Sequence, residues 1–230
     1  MGINEKLLSI YRDRWTSLGE NLRKLEPSKY ANPFILSFDN AKYESADIRV
    51  MIFGQETKGW LNNDGLLETV DESSLRYHSF FCLENFYKGY GVSSFWKAFR
   101  FFSKEIQSAN PDKEIYFSWN NINKIGKFEG TGTDLEVEEI EREFFSVIKS
   151  EVELFKPDIV IFLTGPNRDS NIRYHFEDAE FVSVDPTIKD RAMAKVKSQY
   201  LPENTIRLYH PSYFGGFNKL RKQAVSLITE

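Results

Sequence analysis

Two kinds of hydrophobic pattern alternate along this chain, one with a helical period and one made of short apolar runs. Near the amino terminus, the helical spacing predicts an amphipathic helix that ends before Pro27. Its apolar positions are Tyr11, Trp15, Leu18, Leu22 and Leu25. The apolar runs are typical of buried strands. The four main runs lie at residues 48–53, 114–119, 158–163 and 205–209, and residues 181–184 are a candidate for a short extra strand.

Helical patterns separate the predicted strands. Ser93 or Ser94 is expected to cap a helix rich in aromatic residues. Residues 133–136 have the sequence of a capping box, and the helix that they open continues until Pro157 prevents its extension. Asn218 is the expected cap of the closing helix.

This alternation of strands and helices predicts the α/β fold class. Parallel strands joined by helices form a sheet that is covered on both faces. We therefore expect a three-layer α/β/α architecture with a central, mostly parallel, four-stranded sheet. The sequence shows no repeat, low-complexity tract or linker, so we expect one domain over residues 1–230 that begins with the amphipathic helix.

Composition narrows the classes of protein to consider. Of the 230 residues, 41% are hydrophobic, which is enough for a substantial core. No apolar run approaches the roughly 20 residues of a membrane span, and the amino terminus lacks the basic and apolar regions of a signal peptide. The single cysteine, Cys82, excludes an internal disulfide and a cysteine-ligated metal cluster. We expect a cytoplasmic monomer without a membrane partner.

Net charge and histidine spacing bear on whether the protein binds nucleic acid or a metal, but less strongly than the composition bears on its class. The formal net charge of −4 speaks against a general nucleic-acid binder, which is usually basic. Lys219, Arg221 and Lys222 nevertheless permit a local basic strip near the carboxyl terminus. The three histidines are scattered and have no paired-ligand spacing, so we expect neither a metal nor a cofactor.

Polar motifs follow the first and the last of the four main predicted strands. The tripeptide Gly-Gln-Glu at residues 54–56 comes directly after the first run, and His-Pro-Ser at residues 210–212 comes directly after the last. In a parallel α/β sheet, the carboxyl ends of the strands open into the crevice where ligands bind. One motif supplies a carboxylate and an amide, and the other supplies an imidazole. Together they suggest a hydrolytic site at one rim of the sheet.

These stretches resemble the motifs of the uracil-DNA glycosylase superfamily. Its members have a Gly-Gln-Asp-Pro-Tyr-like motif after the first strand, an asparagine after a later strand and a His-Pro-Ser-Pro-Leu-Ser-like motif after the last. The corresponding stretches here are residues 54–58, 119–124 and 210–215, in the same order and strand context. The chain departs from this pattern at Glu56, which replaces aspartate, and at Thr57 and Lys58, which replace proline and tyrosine. The resemblance implies a uracil-DNA glycosylase-like fold and a divergent branch of the family.

The resemblance gives the first and last motifs a role in glycosidic bond cleavage. Base removal passes through an oxocarbenium-like transition state, which a carboxylate near the sugar stabilises, and the carboxylate can also position water. Glu56 is the candidate, and a glutamate in a surface turn is the structural alternative. The departing base carries negative charge, so a nearby hydrogen-bond donor lowers the barrier. His210 is the candidate donor, and a histidine hydrogen-bonded at a strand end is the alternative.

An amide is expected to read the base. Asn121 is the candidate for its Watson–Crick edge because an amide offers a donor and an acceptor together. Asn120 and Asn123 are rivals, and asparagine also suits a turn after a strand. The backbone amide of Gln55 is a further candidate contact to a base oxygen, as in the family.

When the target base is flipped out of the DNA duplex, an aromatic side chain of the protein is expected to stack on it. Trp60, Phe80 and Phe81 follow the first motif, and we take Trp60 and Phe81 as the base-binding candidates. Core packing is the structural alternative for each of these three rings.

Candidate DNA contacts follow the histidine, and they are Ser212, Phe214, Gly215 and Lys219. Phe214 aligns with the apolar wedge that the family inserts into the duplex, where apolar side chains unstack base steps. Gly215 would let the backbone approach a phosphate closely, and Lys219 would neutralise one. A loop packed on its own domain and a solvated helix face are the structural alternatives.

Three functions are compatible with these residues. The first is a DNA glycosylase that hydrolyses the N-glycosidic bond of uracil or a related damaged base in DNA. The second is a non-catalytic protein that binds nucleic acid or a nucleotide on the same scaffold, which the departure at Glu56 and the acidic charge favour. The third is a hydrolase of free modified nucleosides, which would need neither a wedge nor a basic rim. We expect the first, with DNA as the partner.

Overall fold

The computed structural model describes residues 2–60, 66–83 and 91–229. In those ranges the chain forms eight α-helices and six strands. The helices are α1 (Ile3–Leu22), α2 (Asn40–Ser45), α3 (Val70–Tyr77), α4 (Ser94–Ala109), α5 (Leu135–Phe144), α6 (Ile148–Phe155), α7 (Asp169–His175) and α8 (Phe217–Thr229). The strands are β1 (Ile48–Gly54), β2 (Ile115–Asn121), β3 (Ile159–Phe162), β4 (Glu180–Ser183), β5 (Met193–Lys197) and β6 (Asn204–Leu208). Short 3₁₀ turns lie at Pro27–Lys29 and Pro166–Arg168, and a π-helical turn lies at His78–Cys82.

One mostly parallel sheet contains all six strands, in the order β2-β1-β3-β6-β5-β4. Strands β1 and β3 pair in parallel with Val50 opposite Ile159, and β3 and β6 pair in parallel with Ile159 opposite Asn204. The pairs β6 with β5 and β5 with β4 are antiparallel. The α/β class and the mostly parallel sheet are therefore confirmed. The expected strand number of four is wrong, because β4 and β5 extend the sheet beyond β6.

The central strands of the sheet consist of apolar residues whose side chains are buried on both faces of the sheet. Val50, Met51, Ile52 and Phe53 of β1 are fully buried, as a parallel strand covered on both faces should be. The neighbouring rings of Phe53 and Phe162 stack with their centroids 4.7 Å apart. Because β1 and β6 each border β3, their carboxyl ends lie on the same edge of the sheet, about 10 Å apart.

Contacts divide the chain into two compact units. The first unit contains Met1–Asn40, Gln55–Asn85 and Asn121–Leu154, and the second contains Ala41–Gly54, Phe86–Asn120 and Phe155–Glu230. The sheet lies in the second unit, apart from the last residue of β2. The expectation of one domain over residues 1–230 stays a prediction.

Two helix boundaries differ from those expected. The predicted helix after residue 133 is two helices, α5 and α6, because Phe145 leaves the helical conformation with φ −140° and ψ 37°. The capping box is also absent, since the Thr133 hydroxyl donates to the Ile125 carbonyl oxygen at 2.9 Å instead of capping α5. Helix α8 begins at Phe217, so Asn218 lies inside the helix and is not its cap.

Candidate functional site

The first two motifs meet in the first unit. Gln55 follows β1, and its carbonyl oxygen accepts a hydrogen bond from the backbone N–H of Asn123 at 2.9 Å. Farther along, the Gly59 N–H donates to the Lys127 carbonyl oxygen at 3.2 Å. The loop after β1 and the loop after β2 are thus joined backbone to backbone, and both loops carry candidate site residues.

Gly126 makes the closest contact between these two loops. A Cβ built on Gly126 would lie 1.9 Å from the carbonyl oxygen of Thr57, which no side chain tolerates. The other side of this glycine is also engaged, since its carbonyl oxygen accepts from the Ala31 N–H at 2.8 Å. A glycine is therefore required here for the backbone after Glu56 to reach its observed position.

Glu56 is half-buried, and its carboxylate is tied to a nearby turn of the same unit. Oε1 accepts a hydrogen bond from the Gly132 N–H at 2.9 Å. The turn itself is closed by a bond from the Lys127 N–H to the Gly132 carbonyl oxygen at 3.1 Å, and Gly132 has φ +87°, a conformation that favours glycine. The carboxylate is positioned by backbone, so its orientation does not depend on a flexible partner.

The asparagines of the second motif are all buried. Asn121, the last residue of β2, is 1% exposed, and Asn123 is 3% exposed. Asn120 belongs to the second unit, where its Nδ2 donates to the Met51 sulfur at 3.6 Å. This contact gives Asn120 a structural role in the sheet. Base reading by Asn121 stays a prediction.

His210 lies in the second unit, two residues after β6, and its ring is hydrogen-bonded within its own motif. The backbone N–H of Ser212 donates to Nδ1 of His210 at 3.3 Å. A ring nitrogen that accepts a hydrogen bond carries no proton, so the proton of this imidazole is on Nε2. On the backbone side, a Cβ on Gly165 would lie 3.2 Å from the His210 nitrogen, and Gly165 has φ +73°. This hydrogen bond thus assigns the ring proton of His210 to Nε2, and the contact with Gly165 confines its backbone.

The loop that follows His210 exposes an aromatic ring. Phe214 is 104% exposed, whereas Tyr213 stacks on Tyr209 with ring centroids 4.0 Å apart. A Cβ on Gly215 would lie 2.2 Å from the Tyr213 hydroxyl oxygen, so a side chain at this position would displace the tyrosine. Ser212, Gly215 and Lys219 are exposed as well. The DNA contacts assigned to this loop stay predictions.

The aromatic candidates differ in exposure. Trp60 and Phe80 are both half-buried and contact each other edge to face, with centroids 5.6 Å apart. Phe81 is only 7% exposed and packs against Tyr77 at 5.5 Å between centroids. In the first unit, Trp60 and Phe80 therefore present more ring surface to a ligand than Phe81 does.

Sequence reasoning missed a cluster of buried charges next to the second motif. Lys124 and Glu151 are both 0% exposed, and Lys124 Nζ lies 2.6 Å from Glu151 Oε2. The Tyr11 hydroxyl donates to Glu151 Oε1 at 2.6 Å and accepts from the Leu36 N–H at 3.1 Å. We call Tyr11, Lys124, Glu141 and Glu151 the buried charge cluster.

Glu141 completes this cluster by holding the loop after β2. Its two carboxyl oxygens accept from the backbone N–H groups of Lys124 at 2.7 Å and Ile125 at 3.1 Å. Burial raises the pKa of Glu141 to about 8, although these two hydrogen bonds and the Lys124 ammonium act in the opposite direction. Burial likewise lowers the pKa of Lys124. With a pKa of about 8, the carboxyl group of Glu141 is mostly protonated at neutral pH.

A sequence signal for the cluster does exist. Glu151 comes three residues after Ile148 in α6, and Glu141 comes four residues after Val137 in α5. Both glutamates thus lie on the buried faces of their helices. An acidic residue at an apolar position needs a buried partner, and Lys124 is that partner for Glu151.

The raised pKa of Glu141 predicts a pH dependence of stability. The folded-state pKa of about 8 lies above the ordinary value of 4.5, so between these values only the folded chain keeps the proton. Its contribution is complete below pH 4.5 and is lost as the pH rises through 8. The free energy of unfolding should fall by up to about 1.4 kcal/mol per pH unit over this window.

Urea-induced unfolding of the wild type and Glu141→Gln between about pH 5 and 8 measures this effect. The Glu141→Gln variant should show a flatter pH dependence, whereas Glu139→Gln, an exposed change on the same helix, should keep the wild-type slope. Equal slopes in all three proteins would contradict the assignment.

Neither a metal-binding cluster nor a membrane-spanning helix occurs in the described part of the chain. No group of three or more His, Cys, Asp or Glu within residues 2–60, 66–83 and 91–229 could hold a metal ion. Over the same ranges, none of the helices combines the length and the apolar character needed to cross a membrane.

The candidate site residues divide between the two units. Gln55, Glu56, Asn121, Trp60 and Phe81 belong to the first unit. His210, Ser212, Phe214, Gly215 and Lys219 belong to the second.

Comparison of the sequence with models of protein families and with curated proteins found no match. The resemblance to uracil-DNA glycosylases therefore stands on the three motifs and stays a prediction.

Proposed function

We propose that this protein is a DNA glycosylase that hydrolyses the N-glycosidic bond of uracil or a related damaged base in DNA. The observation that supports the proposal most is the hydrogen bond from the Ser212 N–H to His210 Nδ1. It leaves the ring proton on Nε2, which is the arrangement needed to donate to the carbonyl oxygen of a departing base.

The first requirement of the reaction is stabilisation of the negative charge on the departing base. As the bond between the sugar and the base breaks, negative charge develops on the carbonyl oxygens of the ring. A hydrogen bond from His210 Nε2–H to one of these oxygens is stronger in the transition state than in the substrate, so it accelerates the reaction. The base leaves with the bonding electron pair and takes up a proton afterwards.

The second requirement is stabilisation of the positive charge that develops on the sugar. Loss of the base leaves an oxocarbenium-like cation, which a nearby carboxylate stabilises. Glu56 would supply that carboxylate and would direct water to the anomeric carbon. Its surroundings fit this role, since the side chain is half-buried and one oxygen is oriented by the Gly132 N–H.

A non-catalytic nucleic-acid binder is the second candidate function, and one observation favours it. The bond from Gly132 to Glu56 gives the carboxylate a purely structural use, the anchoring of a turn. In a binder of this kind, Glu56 would stabilise the loop and no base would be released.

Base release from defined oligonucleotides tests the proposal. The protein is incubated with DNA that contains uracil or another damaged base, and abasic sites are detected by alkaline cleavage of the strand. We expect abasic sites with at least one damaged base, with much less activity on free nucleosides. Binding without any abasic product would select the non-catalytic alternative, and equal activity on free nucleosides would select a nucleoside hydrolase.

A further inference from the structure

A group of basic residues on α4 and α8 forms a surface whose charge is opposite to that of the whole protein. The chain has 34 acidic and 30 basic residues, yet no Asp or Glu occurs between residues 204 and 229. Helix α4 carries a single acidic residue, Glu105. The basic residues involved, which we call the basic ridge, are Lys97, Lys104, Lys219, Arg221 and Lys222.

Phe101 joins the two helices at the ridge. The guanidinium carbon of Arg221 on α8 lies 4.1 Å from the centroid of the Phe101 ring on α4. Lys97 precedes Phe101 by four residues and Lys104 follows it by three, so all three share one face of α4. Arg221 of α8 therefore lies beside the face of α4 that carries Lys97 and Lys104.

The lysines of the ridge are exposed, and no acidic side chain among the described residues forms an ion pair with them. Lys97, Lys104, Lys219 and Lys222 are all exposed. Ion pairs elsewhere include Arg12 with Asp71 and Lys195 with Glu203, but in the described part of the chain no ion pair involves a lysine of the ridge.

Arg221 is held by stacking. Its Nε is buried and has no hydrogen-bond partner among the residues that the structure describes. The contact with Phe101 restrains the guanidinium group, and a restrained guanidinium loses less conformational entropy when it binds an anion.

The ridge continues toward an exposed aromatic loop. Tyr213 and Phe214 lie in the loop before α8, and both residues are exposed, by 42% and 104%. Lys219 is in the first turn of the helix that follows them. Exposed aromatic rings beside uncompensated cations are the usual composition of a surface that binds nucleic acid.

We infer that the basic ridge on α4 and α8 binds the phosphate backbone of DNA. This inference rests on the proposed function for the identity of the ligand, but it needs no base release. It adds helix α4 to the DNA-binding surface, which sequence reasoning limited to the loop after His210 and to α8. The ridge contacts phosphates, so it contributes affinity and no preference for base sequence.

Salt dependence of binding tests the ridge. The probe is a short fluorescein-labelled DNA duplex without a damaged base, and its anisotropy is titrated between about 50 and 200 mM salt. The ridge variant combines Lys97→Gln, Lys104→Gln and Lys222→Gln. We expect the slope of log affinity against log salt to be smaller by roughly 2 to 3, with binding weaker by roughly 10²- to 10⁴-fold at the lowest salt and a smaller loss at the highest salt.

A matched control removes the same charge elsewhere. The triple variant Lys6→Gln, Lys113→Gln and Lys189→Gln changes three exposed lysines outside the ridge, and it should bind like the wild type. Urea midpoints of all three proteins establish that folding is unchanged. A ridge variant with the wild-type slope, an equal loss in both triple variants, or no binding of the duplex at low salt would each overturn the inference.

Base release is measured on the same proteins, which separates the two proposals. A selective loss of binding in the ridge variant, with no abasic product from any protein, would support the ridge and reject the glycosylase. Abasic product from all three proteins, with equal binding, would reject the ridge and support the glycosylase.

Discussion

Replacing Glu56 by glutamine is expected to slow base release by roughly 10²- to 10³-fold, as removal of one electrostatic stabiliser of a transition state does. The amide oxygen of glutamine can still accept the hydrogen bond from the Gly132 N–H, so the turn should be retained while the charge is lost. The effect should fall on kcat, with little change in KM, because the oxocarbenium charge exists only in the transition state. Single-turnover rates with a uracil-containing oligonucleotide measure it.

Glu129→Gln is the control for this change. Glu129 is exposed and lies in the sequence between Lys127 and Gly132, so its replacement removes one negative charge without touching the first motif. The control should release base at the wild-type rate. If the Glu56→Gln variant were as fast as this control, the carboxylate would only anchor the turn.

Replacing Lys124 by methionine is expected to destabilise the protein by about 3–5 kcal/mol, because the change leaves the Glu151 carboxylate buried without its cation. Both side chains are 0% exposed, so water cannot compensate for the lost partner. The pKa of Tyr11 is raised well above its ordinary value by burial and by the Glu151 carboxylate, so its hydroxyl keeps its proton and remains a donor to Glu151. Urea-induced unfolding, followed by tryptophan fluorescence, measures the loss.

Lys127→Met is the matched control, since it removes a lysine from the same loop. Lys127 pairs with Asp134 at 2.9 Å, but the two side chains are 33% and 31% exposed. Such a pair contributes about 0–1 kcal/mol, so the control should stay close to the wild type. Combining Lys124→Met with Glu151→Gln should recover part of the lost stability, since no unpaired charge then remains. Equal effects of the two single changes would contradict the assignment of a buried pair.

The elements with strong periodicity or continuous apolar runs could be predicted from the sequence. Strands β1, β2, β3 and β6 and helix α1 lie where the pattern predicts them, and Ser93 caps α4 by accepting the Trp96 N–H at 3.3 Å. Strand β5 escapes prediction because Lys195 and Lys197 interrupt its apolar residues and leave no continuous run. Its antiparallel pairing with β6 is long-range information that local pattern does not contain.

The motifs of the candidate site could be predicted from the sequence, but the hydrogen bonds and buried charges that hold those motifs in place could not. The sequence identifies Gln55 and Asn123 as members of motifs, but the hydrogen bond between them depends on how two distant loops fold. The buried charge cluster is hidden in the sequence because its glutamates lie within a longer acidic stretch, from residue 136 to residue 153. Position on the helix separates them, since Glu141 and Glu151 are buried while Glu136 is exposed.

The pairing of β1 with β3 has a consequence for how the sheet assembles during synthesis. Val50 of β1 is paired with Ile159 of β3, so more than a hundred further residues must be synthesised before β1 can pair with β3. Closing so long a loop costs conformational entropy before any hydrogen bond between the two strands compensates for it. Folds dominated by such distant strand pairings therefore form slowly. Until then the edge of β1 that will pair with β3 is unpaired on the nascent chain, and an unpaired apolar strand edge is a site where aggregation can begin.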